Sequence, residues 1–203
     1  MTTLANRFRK FLPVIVDVET GGLNPAKSAL LELAAVTLKM DEEGQLALDQ
    51  THHYHVLPFE GAHLDPACLA FNKIDPYHPF RFAMPENEVL TSLFKAIKKE
   101  CKQKKCTRAV VVGHNAWFDL HFLNAASQRC QQKSVFHQFT SLDTATLGAL
   151  AFGQTVLSKA LAAAGIEFNT EEAHSALYDA EQTAKLFCHI VNLWKFEFKN
   201  NLD

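Results

Sequence analysis

The run Pro13-Val14-Ile15-Val16-Asp17-Val18-Glu19 constrains the fold of this chain more than any other segment. Its alternation and β-branched residues define a strand, and on a strand residues two apart share a face. Val14, Val16 and Val18 therefore point one way, and Ile15, Asp17 and Glu19 the other. Two carboxylates on one face of an apolar strand oppose burial, because unpaired charge is expensive away from water. The strand runs into Thr20-Gly21-Gly22, so the acids stand at its C-terminal end, where open α/β sheets place ligands. This strand alone leaves two readings open, an edge strand with solvated acids or a cation site.

The remaining pattern sets the architecture. Residues 30–40 alternate in the same way and 51–57 do so more weakly, with Asp41-Glu42-Glu43-Gly44 between them as a hairpin loop. Residues 109–112 are all apolar and read as a buried strand. Helices are predicted over 66–71, 86–101, 117–130, 144–151 and 158–164. A last helix carries Leu177, Ala180, Ala184, Phe187, Val191 and Trp194 as one apolar stripe at helical period. Three strands, a helical stretch, another strand and more helices predict an α/β fold, a mixed central sheet flanked by helices. No linker or repeat divides the chain, and 203 residues at 48% hydrophobic suit a single domain over 1–203. No apolar run approaches the roughly 20 residues of a membrane span, and the first eleven residues lack a secretory leader's apolar stretch. Five cysteines without a C-x-x-C pair fit a reducing, cytoplasmic setting.

Two further acids occupy comparable places. Asn115 is a candidate N-cap after the 109–112 strand, which puts Asp119 about one turn into the next helix. Ser175 is a similar candidate before the last helix, with Asp179 in its first turn. Helical side chains lean toward the N-terminus, so both carboxylates are expected to point back at the strand ends. Either Asp alone reads as a solvated acid that favours the helix dipole; four acids converging read as a site. On a continuous helix His174 would lie about 140° from Asp179, so it is placed in the loop before Ser175, free to swing over the acids. His52, His53 and His55 lie on a strand without an acid or Cys in ligand spacing and read as a poor metal site. Asp143 before Thr144 reads as a helix N-cap.

Asp17-Val18-Glu19-Thr20, His114-Asn115-Ala116-Trp117-Phe118-Asp119 and His174-Ser175-Ala176-Leu177-Tyr178-Asp179 resemble the three motifs of the DEDD exonuclease superfamily. The H-x-x-x-x-D spacing places the chain in the DEDDh branch; the DEDDy branch would have a Tyr in place of Ser175. Arg7-Phe8-Arg9, Ala70-Phe71-Asn72, the 153–159 segment and Ile190-Val191-Asn192-x-Trp194-Lys195 are similar to RNA-trimming members of that branch, so the resemblance spans nearly the whole chain. It implies an RNase H-like fold, a homodimer, and a 3′→5′ exonuclease that removes nucleotides from RNA 3′ ends, notably those of transfer RNA.

Clustered carboxylates without a Cys ligand suit a hard cation, Mg²⁺ by default with Mn²⁺ as a substitute, two per site. The resemblance implies that Asp17 bridges the ions, that Glu19 and Asp179 complete one shell, that Asp119 supports the other, and that His174 is the general base. A formal charge of −2 and a pI near 6.5 give no bulk attraction to nucleic acid, so positive charge must be segregated. The resemblance assigns it to Arg7, Arg9, Arg108 and Lys133, a patch that faces the partner's active site in the dimer. Among the 16 Phe, Phe118 lies beside Asp119, and Phe71 and Phe139 match family positions that hold the terminal bases. Leu23 and Ala67 depart from the pattern, which has Phe and a base-contacting Glu there, and leave base preference open. Lysines 98, 99, 102, 104 and 105 read as the solvated, dipole-favouring end of a helix. The same motifs also fit a proofreading-type DNA exonuclease or an oligoribonuclease, and single-stranded DNA is a further substrate to test. A silent nucleic-acid-binding module would lack at least one catalytic residue, and none is missing; a structural oligomer would carry the acids as plain surface charge.

Overall fold

The computed structural model describes residues 3–194 and joins five strands in one sheet. They are β1 (Phe11–Thr20), β2 (Leu30–Met40), β3 (Leu46–His55), β4 (Arg108–Gly113) and β5 (Phe136–Asp143), in the order β3-β2-β1-β4-β5. β1 and β2 pair antiparallel, as do β2 and β3, while β4 and β5 run parallel to β1. The helices are α1 (Leu4–Arg7), α2 (Pro66–Asn72), α3 (Glu86–Gln103), α4 (Trp117–Arg129), α5 (Thr144–Phe152), α6 (Leu157–Ala163) and α7 (Ala176–Leu193). None among the described residues is long and apolar enough to cross a membrane.

Alternation along β1 decides the two layers. Leu12, Val14, Val16 and Val18 are buried with Val89, Leu90, Leu93 and Ile97 of α3 and Phe122 and Leu123 of α4. Ile15 faces the other way, with Ala34, Val36 and Leu38 of β2, against Ala180, Ala184 and Phe187 of α7. That second layer is the one that holds Asp17 and Glu19.

The structure departs from the sequence-based expectations at several places. β3 begins at Leu46 rather than near Thr51, because the Asp41–Gln45 turn closes tightly and Asn192 of α7 binds both backbone groups of Leu46 at 2.8 and 3.0 Å. β5 was not predicted: Phe136-His-Gln-Phe-Thr-Ser-Leu-Asp is polar, half-exposed edge strand, and its pairing with β4 makes it a strand. The apolar stripe of α7 ends before its predicted limit, since Trp194 is the helix's exposed C-cap. Asn115 is not an N-cap; it takes a left-handed φ of 66°, and the N-cap position of α4 falls to Ala116, whose side chain caps nothing. Lys195 of the C-terminal motif lies outside the described residues.

Candidate active site

β1 delivers Asp17 and Glu19 to its C-terminal end, and α7 brings Asp179 over them. One carboxylate oxygen from each of the three lies within 4.8 Å of the others. Asp179 Oδ2 accepts from the His174 backbone N–H at 3.0 Å, whereas its Oδ1 is buried and has no hydrogen-bond partner. Asp119, 5% exposed in the first turn of α4, stands beside this group, and its Oδ1 accepts from the Val18 N–H at 3.1 Å. Gly113 permits that approach: a Cβ there would meet Asp119 Oδ2 and the Ala116 backbone at 3.0 Å. The first turn of α4 is held by Asp143, which serves two helices. Its Oδ2 accepts from the Ala116 N–H at 2.8 Å, and its Oδ1 from the Thr146 N–H at 3.0 Å at the start of α5.

Burial, with the negative charge of Asp119, Glu19, Asp179 and Glu32, holds the Asp17 carboxyl well above the ordinary range. Burial and then Glu32 push Glu19 up to about 8. Burial also raises Asp119 to about 8, against its hydrogen bonds from backbone N–H groups, and raises Asp179 against the His174 N–H. Among the described residues no ion pair reaches any of the four. The acids therefore lack positive charge, and the orphaned Asp179 Oδ1 is an acceptor without a donor. An all-oxygen donor set in this state fits hard divalent cations.

His174 lies in the loop before α7, as expected, and its ring is 4.2 Å from that of Phe71 on α2, which is 61% exposed. Phe118 is half-buried and packs on Phe122 at 4.9 Å, so much of its surface belongs to the core. The basic residues gather elsewhere. Phe11 pairs with Arg108 at the start of β1, eight residues from Glu19; at about 3.3 Å per residue that is about 26 Å along the strand. Arg9 adjoins this end, because Thr107 donates to the Lys10 carbonyl. Arg108, Lys133 and the exposed Phe139 line one cleft there. Within one chain, then, His174 meets the acids and Phe71 meets His174, while Arg9, Arg108, Lys133 and Phe139 stand at the other end of β1. Of the lysine run, Lys104 turns inward to Asp49, Glu100 and the Leu38 carbonyl, while Lys98 and Lys102 share clefts with Lys133.

Glu32 is the residue that sequence reasoning missed. It sits in a strand of apolar neighbours, opposite Glu19 on β1 and opposite His55 on β3. Its Oε1 lies 2.6 Å from His53 Nε2, so the histidine strand does have an acid, supplied from across the sheet. The signal was a Glu placed at period 2 with Ala34, Val36 and Leu38 on the α7 face.

A mixed sheet with helices on both faces, carrying acids at the end of its first strand, is the architecture of the RNase H-like exonucleases. The nuclease domain of 3′hExo, a DEDDh family member solved with bound rAMP, superposes with a TM-score of 0.71 at 19% identity, covering 89% of this chain and 91% of that one. Escherichia coli exonuclease I, solved with a dT13 oligonucleotide, gives 0.66 at 17% identity over 88% of this chain and 40% of its own. At these identities the likeness is one of fold. Sequence goes further: a family model described as Exonuclease matches residues 14–187. Ribonuclease T of Vibrio campbellii is 57% identical over 95% of this chain and 91% of its own length, and that of Salmonella typhimurium 56% over 96% and 91%. The chain belongs to the exonuclease family, among its ribonuclease T members, and is a 3′→5′ exoribonuclease. Oxygens of Asp17, Glu19 and Asp179 lie close enough together to hold a divalent metal ion.

Proposed function

We propose that this enzyme trims the 3′ ends of stable RNA, transfer RNA among them, in the cytoplasm, as a homodimer of single-domain chains, with Mg²⁺ as its ion and Mn²⁺ able to substitute. The observation that carries the reading is the convergence of Asp17, Glu19 and Asp179 within 4.8 Å, beside Asp119 and under the His174 loop. When bound, two divalent ions supply an activated water and charge stabilisation for in-line displacement at phosphorus. Asp17, Glu19 and Asp179 would hold those ions, with Asp119 beside them, fixed by the Val18 N–H. His174 takes a proton from the attacking water as its oxygen bonds to phosphorus, the bond from phosphorus to the 3′-oxygen breaks, the 3′-oxygen takes a proton from solvent, and a nucleoside 5′-monophosphate leaves. Phe71, exposed against the His174 ring, gives a terminal base a face to stack on, and Phe118, next to Asp119 in the first turn of α4, offers a second. Stacking of this kind is worth about 1–3 kcal/mol per base and accepts any base.

Distance supports the dimer. Arg9, Arg108, Lys133 and Phe139 stand at the far end of the sheet from the acids, which supports their serving a second chain's site rather than their own. Incubating labelled single-stranded RNA, a transfer-RNA-like 3′ end, a dinucleotide and a DNA primer with Mg²⁺ tests the reading. Release of 5′-monophosphates from RNA 3′ ends, fastest on the transfer-RNA-like end, is expected. Faster turnover of the dinucleotide or the primer would give the chain to the oligoribonuclease or proofreading class instead.

A further inference from the structure

Asp17 and Glu19, Glu32, and His53 and His55 lie on the same face of three adjacent strands, the face that α7 covers. The register reads Glu19, Glu32, His55 in one row and Asp17, Ala34, His53 in the next. Glu32 is 6% exposed and adds negative charge to a site that already lacks positive charge. An apolar residue of similar volume would be cheaper there, since a buried carboxylate is costly unless its oxygens are bonded. Its Oε1 is bonded: His53 Nε2 lies at 2.6 Å, and the Ser175 hydroxyl donates to it at 3.4 Å.

Ser175 is the hinge between the two catalytic side chains of the third motif. It is the N-cap residue of α7, yet its side chain caps nothing in its own helix and turns to the sheet instead. Its carbonyl accepts from the Asp179 N–H at 2.9 Å. The preceding His174 is held at a left-handed φ of 70°, with its N–H on Asp179 Oδ2. Exposed His174 has its ring against Phe71. We infer that Glu32, itself fixed by His53, is a positioning residue that pins the His174–Ser175 turn to the sheet and so sets where the His174 ring stands over the acids. The inference rests on the proposed role of His174.

The test is a double-mutant cycle on a short single-stranded RNA with Mg²⁺. Outer groups that orient ligands and catalytic side chains typically cost about 10–100-fold when lost. Glu32→Ala should therefore lower kcat by about 10–100-fold and leave KM within about threefold. Glu32→Gln keeps an oxygen for Ser175 and should recover most of that loss. In the His174→Ala background, Glu32→Ala should cost nothing further, because there is no ring left to position. Should Glu32→Ala not fold, Ser175→Ala removes the same bond from the other side and must show the same coupling to His174. An equal fold-loss in both backgrounds, or a rise in KM at constant kcat, overturns the inference. A wild-type enzyme unaffected by His174→Ala would instead sink the assignment of the base.

Discussion

Raising the pH in the presence of a chelator should destabilise this protein, and Glu19 sets the size of the effect. Its carboxyl ordinarily titrates at 4.5 and in the fold at about 8, so the folded chain binds that proton more tightly than the unfolded one. The sign follows. The stabilisation is complete below the unfolded value and is lost as pH rises through the folded one. Moving one carboxyl over that interval corresponds to about 5 kcal/mol, which for a domain of this size is on the order of 10–20 °C in Tm. Asp119, also near 8, shares the same field with Asp17, so the total is well short of twice that figure. Thermal melts in EDTA between pH 5.5 and 9 capture about 3 kcal/mol of it, since the first pH unit above 4.5 lies below that window, with Glu19→Gln as the reference that cannot ionise. Wild type should lose stability across the interval and the Gln variant much less, and Mg²⁺ should raise the wild-type Tm most at pH 9. Parallel curves for the two proteins, or a wild type more stable at pH 9 than at 5.5, would refute the electrostatic account of the site.

Asp17→Asn should abolish cleavage while raising the metal-free Tm at pH 8, because it removes one buried negative charge; near-normal cleavage would end the two-ion reading. His174→Ala should lower kcat by about 10²–10⁴ with little change in RNA affinity, read from single-turnover rates and a binding titration. Asp143→Ala removes the cap of α5 and the bond to the α4 N-terminus together, so urea unfolding should show a loss of about 2 kcal/mol; Asn, with one acceptor oxygen for two N–H donors, should restore only about half of it. Mixing an Arg7→Ala/Arg9→Ala chain with an Asp17→Asn chain should restore part of the activity that each variant lacks. The intact site then faces the intact patch only across a dimer, and no restoration in proven mixed dimers would put the patch in cis.

The four acids of the candidate site were legible from the chain because periodicity assigns faces. Asp17 and Glu19 alternate with Val14, Val16 and Val18 on a strand whose direction and end are both marked, and Asp119 and Asp179 fall in the first turns of helices. Those are local properties, set by backbone geometry over a few residues. The first and second strands, and the helices over 66–72, 86–103 and 144–152, followed for the same reason. Sequence did not determine what crosses the sheet. β5 has no apolar alternation of its own and exists because β4 offers it a ladder. The cap of α4 comes from Asp143, 27 positions away, not from the adjacent Asn115. Glu32 joins the site only through the register of β1 with β2, and it meets His53 only through that of β2 with β3. The separation of the basic patch from the acids is likewise a matter of which end of β1 pairs with Arg108. Periodicity fixes which face a side chain takes, but which distant side chain shares that face depends on strand order and register, and those are decided when the whole core packs.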